Sequence, residues 1–177
     1  MFRTLLLITA LSFPFGVLAA DDDNGRPPKD TKTKTCLGKR VYDEDKGRCV
    51  RPKQSSLNQD ELYDAAREKA YAGRYDDAIG VLDDMADQQS DKVLTYRGFT
   101  ARKLGQLELA NLYYQQALEA NPDNILARSY MGQGFAEAGD KVAAMIQLRE
   151  IRARGGAGTW AEKALATTLE TGRGYGN

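Results

Sequence analysis

The segment GQLELANLYYQQALEANPDN, residues 105–124, contains the pattern that decides the fold. It begins with a glycine, and Ala110, Tyr114 and Ala117 follow at spacings of four and three residues, the period of one helix face. Asn-Pro-Asp-Asn closes the segment, and a helix does not continue through Pro122 without losing a backbone hydrogen bond. By itself, the segment predicts one amphipathic helix that ends in a turn.

The same pattern of small and large residues recurs on both sides of this segment. A shift of 34 residues toward the C-terminus, or of 32 toward the N-terminus, places small residues on small ones and large residues on large ones. We expect these positions to be packing contacts, because small residues let two helices approach closely and large ones fill the space between helix pairs. The recurring positions, with the turn glycines and the closing proline, are Gly73, Ala78, Leu82, Gly98, Gly105, Ala110, Tyr114, Ala117, Pro122, Gly132, Phe135, Gly139, Ala144 and Leu148.

Apolar spacings of three and four predict seven helices from residue 59 onward. Asn58 precedes Glu61, and Thr159 precedes Glu162, at the spacing of a capping box. The predicted helices are 59–72, 75–88, 91–104, 107–120, 125–138, 141–154 and 159–171.

Helix–turn–helix units of about 34 residues, with a small residue in the first helix and Ala-x3-aromatic in the second, resemble the tetratricopeptide repeat. The most typical copy is YRGFTARKLGQLELANLYYQQALEANPDN, residues 96–124. The resemblance divides 59–158 into repeats 59–90, 91–124 and 125–158 and implies an all-α fold, a right-handed α-solenoid of three helix pairs. Helix 159–171 would then cap the last pair. The chain departs from the pattern at Arg97 and Arg128, where large apolar residues are expected.

The first twenty residues have the composition of a secretory signal peptide: one basic residue, an apolar run and small residues at the end. A membrane anchor is the alternative, but Pro14 and Gly16 interrupt a run that is already shorter than the ~20 residues a span needs. Residues 21–35 are polar and predict a disordered leader. We therefore expect an exported protein, periplasmic or secreted, without a membrane span after signal cleavage.

Cys36 and Cys49 bracket a small predicted hairpin, residues 36–50, which a disulfide would stabilise by about 3 kcal/mol. A redox pair is the alternative, but such cysteines usually lie two residues apart at the start of a helix. Residues 51–58 are expected to be a linker, and the glycine-rich residues 172–177 a flexible tail.

Composition removes several classes of function. The chain has 25 basic and 25 acidic side chains, and this zero net charge argues against nucleic-acid binding. It has no histidine and only two cysteines, which removes the usual metal sites and the imidazole base of Ser or Cys hydrolases. We expect no cofactor, no metal, no small-molecule substrate and no enzymatic activity.

The resemblance implies that the first helix of each pair lines a concave groove that binds a peptide or a partner helix. Carried over by register, the groove residues are Tyr63, Arg67, Tyr71, Lys92, Thr95, Phe99, Arg102, Lys103, Ser129 and Gln133. This set is basic and aromatic at its centre and fits an extended acidic or amphipathic segment. The alternative is that its cations are solvated and Phe99 is part of the packing. Five aspartates between residues 76 and 87 are expected to lie on a solvated outer face.

These features together predict a non-enzymatic protein-interaction module in the cell envelope. The alternative is a structural or assembly component that docks through the N-terminal disulfide hairpin. The sequence does not identify the partner protein or peptide.

Overall fold

The computed structural model describes residues 33–174, apart from the side chain of Lys34. In this part of the chain the fold is mostly helical, and a small hairpin precedes seven α-helices, none of which is long and apolar enough to cross a membrane. The helices are α1 (Gln59–Tyr71), α2 (Tyr75–Leu82), α3 (Asp91–Lys103), α4 (Leu107–Ala120), α5 (Ile125–Glu137), α6 (Lys141–Ala153) and α7 (Trp160–Thr171). The predicted signal peptide, most of the predicted leader and residues 175–177 lie outside the described residues.

The helices are arranged in two layers. Helices α1, α3, α5 and α7 pack side by side in one layer, which we call the inner layer. Helices α2, α4 and α6 make up the second layer, which we call the outer layer, and each packs against two helices of the first. The turns inside the pairs carry Gly73, Gly105 and Gly139 at φ values of +75°, +78° and +86°, a conformation that favours glycine. The all-α prediction and the glycine turns are thus found in the described residues.

Close contacts between neighbouring helices depend on small residues in the inner layer. A Cβ atom at Gly98 of α3 would lie 2.4 Å from Cε1 of Tyr114, whose side chain on α4 is completely buried. A Cβ atom at Gly132 of α5 would lie 2.6 Å from Leu165 of α7. The small-against-large pattern in the sequence therefore corresponds to places where a side chain packs directly on a neighbouring backbone.

Helix α2 is shorter than the sequence predicts, since it ends at Leu82 rather than at residue 88. The side-chain amide of Gln88 donates to the backbone carbonyls of Leu82 (2.9 Å) and Met85 (2.6 Å). The Gln88 side chain thus supplies the hydrogen bonds that backbone N–H groups of a further helical turn would otherwise donate to these carbonyls. Met85 is buried, so the apolar spacing past Leu82 continues the core without continuing the helix.

Side-chain caps begin α1 and α7, with one difference from the sequence prediction. Asn58 and Glu61 form the predicted capping box at α1, in which each side chain accepts the other residue's backbone N–H. At α7, the Thr159 hydroxyl accepts from the N–H of Glu162 at 3.4 Å, but the Glu162 carboxylate accepts from the N–H of Gly158 at 2.7 Å. The Glu162 carboxylate therefore bonds to the N–H of the residue before Thr159, whereas in a capping box it would bond to the N–H of Thr159 itself.

The predicted hairpin and disulfide are present. Strands β1 (Val41–Asp43) and β2 (Arg48–Val50) pair in antiparallel orientation, and a disulfide joins Cys36 to Cys49 with their Cα atoms 5.6 Å apart. The turn between the strands ends at Gly47, which has a φ of +61°.

The hairpin packs on the first helix pair rather than standing alone. Val41 and Val50 are buried in the same hydrophobic core as α1 and α3. Lys69 of α1 is fully buried, and its ammonium group donates to the backbone carbonyls of Cys36 (3.1 Å) and Gly38 (3.0 Å). Burial lowers the pKa of Lys69 to about 8.

Segments predicted to be a leader, a linker and a tail are partly ordered by side-chain contacts. Thr33 belongs to a single 3₁₀ turn, and its buried hydroxyl accepts the N–H of Tyr42 at 3.1 Å. The Asp43 carboxylate accepts the N–H of Ser56 at 2.8 Å. The N–H of Gly174 donates to Glu137 at 2.9 Å. Each of these bonds ties part of a segment that was predicted to be unstructured to the folded body. The ordered part of the chain therefore extends beyond the predicted boundaries.

Candidate functional site

The residues expected to line the groove lie on the inner layer, but the structure buries most of them. Six are buried, three are half-buried, and only the side chain of Lys92 is exposed. The buried six are Tyr63, Thr95, Phe99, Arg102, Ser129 and Gln133, and the half-buried three are Arg67, Tyr71 and Lys103. Fewer of the expected groove residues are therefore accessible to a ligand than the repeat register in the sequence implies.

Hydrogen bonds within the fold explain why the polar members do not project into a groove. The Thr95 hydroxyl donates to the carbonyl of Asp91 at 2.6 Å. The Ser129 hydroxyl donates to the carbonyl of Ala161 at 2.7 Å, and the Gln133 amide donates to the Ser129 hydroxyl at 3.1 Å. Buried polar groups require such partners. The bonds of Thr95 and Gln133 stay within their own helices, and that of Ser129 joins α5 to α7.

Three of the four basic residues of the predicted groove are paired with acids. Arg102 lies 2.6 Å from the Glu137 carboxylate, and Lys92 lies 2.9 Å from Asp60. Arg67 pairs with Asp64 at 2.9 Å. These ion pairs reduce the net positive charge of this surface.

Four aromatic rings form a ladder across all four inner helices. Tyr63 contacts Tyr96 edge-to-face with ring centres 5.4 Å apart, Tyr96 contacts Tyr130 at 6.0 Å, and Tyr130 contacts Trp160 at 6.1 Å. We call Tyr63, Tyr96, Tyr130 and Trp160 the aromatic ladder. Tyr96 and Tyr130 were not among the expected groove residues, although the 34-residue shift that relates the glycines also relates these two tyrosines.

Hydroxyl groups connect the ladder to its surroundings. Arg67 donates through Nε to the Tyr96 hydroxyl at 3.2 Å, and the hydroxyls of Tyr96 and Tyr130 are 3.3 Å apart. The Tyr71 and Tyr130 hydroxyls are 2.5 Å apart, which brings α1 and α5 together over α3. Burial raises the pKa of Tyr63, Tyr71 and Tyr130, so these hydroxyls stay protonated at neutral pH.

A pocket of about 310 Å³ opens where the N-termini of α3, α5 and α7 meet, at one edge of the inner layer. Tyr63 and Trp160, the two ends of the aromatic ladder, both line it. The lining residues are Tyr63, Asp91, Lys92, Asn121, Asp123, Asn124, Ile125, Leu126, Arg154, Gly155, Thr159, Trp160 and Ala161. Two predicted groove residues, Tyr63 and Lys92, are thus brought together at an accessible site.

The charged groups around this pocket are paired within the protein. Asp91 accepts hydrogen bonds from the side-chain amides of Asn121 (2.7 Å) and Asn124 (2.9 Å). Arg154 donates through Nε to the carbonyl of Pro122 at 2.8 Å and lies 3.4 Å from Asp123. A polar rim therefore surrounds walls that include two aromatic rings and aliphatic side chains.

Two of the aspartates expected on a solvated face join parts of the fold. Asp83 pairs with Arg97 of α3 at 2.8 Å. Asp84 pairs with Lys39 of the hairpin segment at 2.9 Å and lies 3.5 Å from Lys53. The others are Asp76 and Asp87, which are exposed, and Asp77, which pairs with Arg74.

Comparison with known proteins does not identify a function for this site. No protein-family model matches the chain, and neither a curated protein nor a solved structure matches it. Residues 33–174 contain no group of three or more Asp, Glu, Cys or His side chains that could hold a metal ion. The pocket lined by Tyr63 and Trp160 is a candidate binding site in this part of the chain.

Proposed function

We propose that this protein is a non-enzymatic interaction module of the tetratricopeptide-repeat type that binds an amphipathic polypeptide segment. One apolar or aromatic side chain of that segment enters the pocket between Tyr63 and Trp160. The observation that carries the proposal is this pocket of about 310 Å³ on the inner layer. The repeat register in the sequence and the pairing of inner with outer helices support a right-handed solenoid.

The dimensions and chemistry of the pocket suit a side-chain anchor. Its volume is at the lower end of the range for ligand pockets, about 300–1,000 Å³. Affinity between proteins is often concentrated in a few apolar anchors that fill such pockets, surrounded by a polar rim. Because the rim charges are paired internally, a bound segment needs polar groups beside its anchor but no strong net charge.

The hairpin contacts favour a structural role for this element over a separate docking role. Val41 and Val50 are buried in the helical core, and the ammonium group of Lys69 holds the Cys36 carbonyl. The hairpin thus covers the first helix pair, as α7 covers the last. The disulfide supports export to an oxidising compartment, since such bonds are rare in the cytosol.

Trp160 provides a direct test, because it is the only tryptophan in the sequence and it lines the pocket. A random peptide library is selected on the purified protein, and the enriched peptides are titrated while Trp160 fluorescence is recorded. We expect the enriched peptides to share an apolar or aromatic anchor and to change this fluorescence.

A matched pair of variants separates the pocket from the rest of the surface. Lys92→Glu removes the ion pair with Asp60 and leaves unpaired carboxylates at the pocket rim, which a bound segment would have to desolvate. We expect it to weaken peptide binding about tenfold, or about 1.4 kcal/mol. Lys163→Glu makes the same change on the exposed face of α7, outside the pocket, and should leave the affinity unchanged. Peptides that bind both variants as they bind the wild type would contradict the proposal.

A further inference from the structure

The outer layer presents large apolar side chains to solvent on two of its three helices. On α4, Leu109 is 39% exposed and Leu112 is 48% exposed. On α6, Val142, Met145 and Ile146 are 65%, 53% and 45% exposed. Spacings of three and four residues place each set on one side of its helix. We call these five residues the outer apolar face.

The first outer helix differs from the other two. Helix α2 has no exposed large apolar side chain. Lys39 of the hairpin segment crosses it, and a Cβ atom at Gly80 would lie 2.9 Å from the Cβ of Lys39. The hairpin thus covers α2, whereas no element within residues 33–174 covers the outer apolar face.

The charges beside this face have opposite signs on the two helices. Helix α4 contains no lysine or arginine, and its acidic residues Glu108 and Glu119 are exposed. Helix α6 carries the exposed basic residues Lys141 and Arg149. Within the described residues, none of these four side chains forms an ion pair. Each helix therefore offers an apolar strip with a charge complementary to that of the other.

We propose that two copies of this chain associate through their outer layers as a two-fold symmetric dimer, with α4 of each copy packed against α6 of the other. Helices α4 and α6 lie on the same side of the inner layer, so docking α4 on the partner's α6 brings α6 onto the partner's α4. The interface is then closed by symmetry, as in most homodimers. Pairing α4 with α4 would instead place glutamates against glutamates, which complementary interfaces avoid.

This interface leaves the inner layer accessible. The pocket lined by Tyr63 and Trp160 lies at the edge of the inner layer, and none of the five residues of the outer apolar face lines it. Asn121 and Arg154, which do line it, directly follow the C-terminal ends of α4 and α6. A dimer would hold two such pockets, and a partner with two binding segments would gain avidity from it. The dimer does not depend on the proposed peptide binding, and either can fail without the other.

Sedimentation velocity of the purified full chain over a range of concentrations tests the dimer. The first variant reverses the acids of α4 (Glu108→Lys with Glu119→Lys), and the second reverses the bases of α6 (Lys141→Glu with Arg149→Glu). We expect each double variant to raise the dimer dissociation constant about tenfold or more, and the variant carrying all four changes to restore association. All four positions are exposed, so circular dichroism should show unchanged helix content.

Two further variants separate the face from general surface effects. Ile146→Asp puts a charge on the outer apolar face and should give a monomer. Lys163→Glu with Glu170→Lys reverses two exposed charges on α7, outside this face, and should leave the dimer intact.

Several results would overturn the proposal. A wild-type monomer at all concentrations would do so, as would a dimer that both double reversals leave unchanged. A series of species larger than a dimer would show an open, head-to-tail contact instead of a two-fold one. A monomer that binds anionic lipid vesicles through Ile146 would assign the face to a membrane surface.

Discussion

Gly98 illustrates how a single missing Cβ atom determines the distance between two helices. Adding one would place it 2.4 Å from the ring of Tyr114, which is fully buried and has no room to move. We expect Gly98→Ala to lower the free energy of unfolding by up to about 2 kcal/mol. Overpacking costs about 1–3 kcal/mol, and this exceeds the ~1 kcal/mol gained from the better helix propensity of alanine. Urea denaturation followed by circular dichroism measures the difference.

A double-mutant cycle checks that the loss arises from this contact. Tyr114→Leu alone should also be destabilising, because it removes buried aromatic surface and leaves a cavity. Combined with Gly98→Ala, it should cost less than the sum of the single changes, since a smaller side chain makes room for the new methyl group. Strictly additive losses would mean that Gly98 acts through helix propensity or elsewhere.

Lys69 and Lys103 give the stability of the protein a defined pH dependence. Burial lowers the pKa of both ammonium groups to about 8, and the charge of the neighbouring arginine adds to the shift in each case. Between pH 8 and 10 the unfolded chain therefore binds more protons than the folded one, and the free energy of unfolding rises with pH. Urea denaturation at pH 7.5 and pH 9.5 should show higher stability at pH 9.5.

Variants at three lysines identify the source of this pH dependence. Lys69→Met and Lys103→Met should each reduce the rise, whereas Lys163→Met, at an exposed position of α7, should leave it unchanged. The pH range in which stability rises ends near pH 10. Burial raises the pKa of Tyr63, Tyr71 and Tyr130, so above this pH the folded state retains protons that the unfolded chain releases. A stability that falls between pH 8 and 9.5 would contradict the assignment.

At the scale of the elements, the sequence predicts the helices well because local signals determine them. Apolar periodicity, turn glycines and the Asn58 cap all act within a few residues of the structure they specify. The end of α2 was wrongly predicted, because Gln88 closes the helix through side-chain bonds that periodicity does not reveal. The packing of the hairpin on α1 was not predicted either. The contact between Lys69 and the carbonyl of Cys36 joins residues 33 positions apart, and local sequence signals do not reveal such a contact.

The disulfide hairpin should stabilise the whole helical body and not only itself. Its residues Val41 and Val50 share the core of α1 and α3. Replacing Cys36 and Cys49 by serine should lower the free energy of unfolding by about 3 kcal/mol, mainly by freeing the unfolded chain. Denaturation of wild type and variant, both followed by circular dichroism, measures the loss. An unchanged midpoint would show that the hairpin packs as firmly without its covalent link.

At the scale of the whole molecule, the repeat register in the sequence did not predict how tightly the inner layer closes. Tyr71 and Tyr130 lie 59 positions apart, yet their hydroxyls meet over α3. This contact encloses side chains such as Phe99 that register alone places at a surface. The pocket was missed because it forms between helix ends from three different parts of the chain, and only Tyr63 and Lys92 of its lining were among the expected groove residues.

The aromatic ladder should make the helices unfold together rather than pair by pair. Stacked helix pairs lose cooperativity when the interfaces between neighbouring pairs are weak. In this protein, edge-to-face contacts continue from Tyr63 on α1 to Trp160 on α7. We therefore expect Trp160 fluorescence, which reports on α7, and far-ultraviolet circular dichroism, which reports on all helices, to give coincident urea transitions.

Tyr130→Leu interrupts the ladder beside Trp160 and should shift the fluorescence transition to lower urea than the circular dichroism transition. Tyr113→Leu replaces a half-buried tyrosine of α4 outside the ladder and should keep the two transitions together. Separate transitions in the wild type would mean that the helix pairs are held by local packing alone and that the ladder does not couple them.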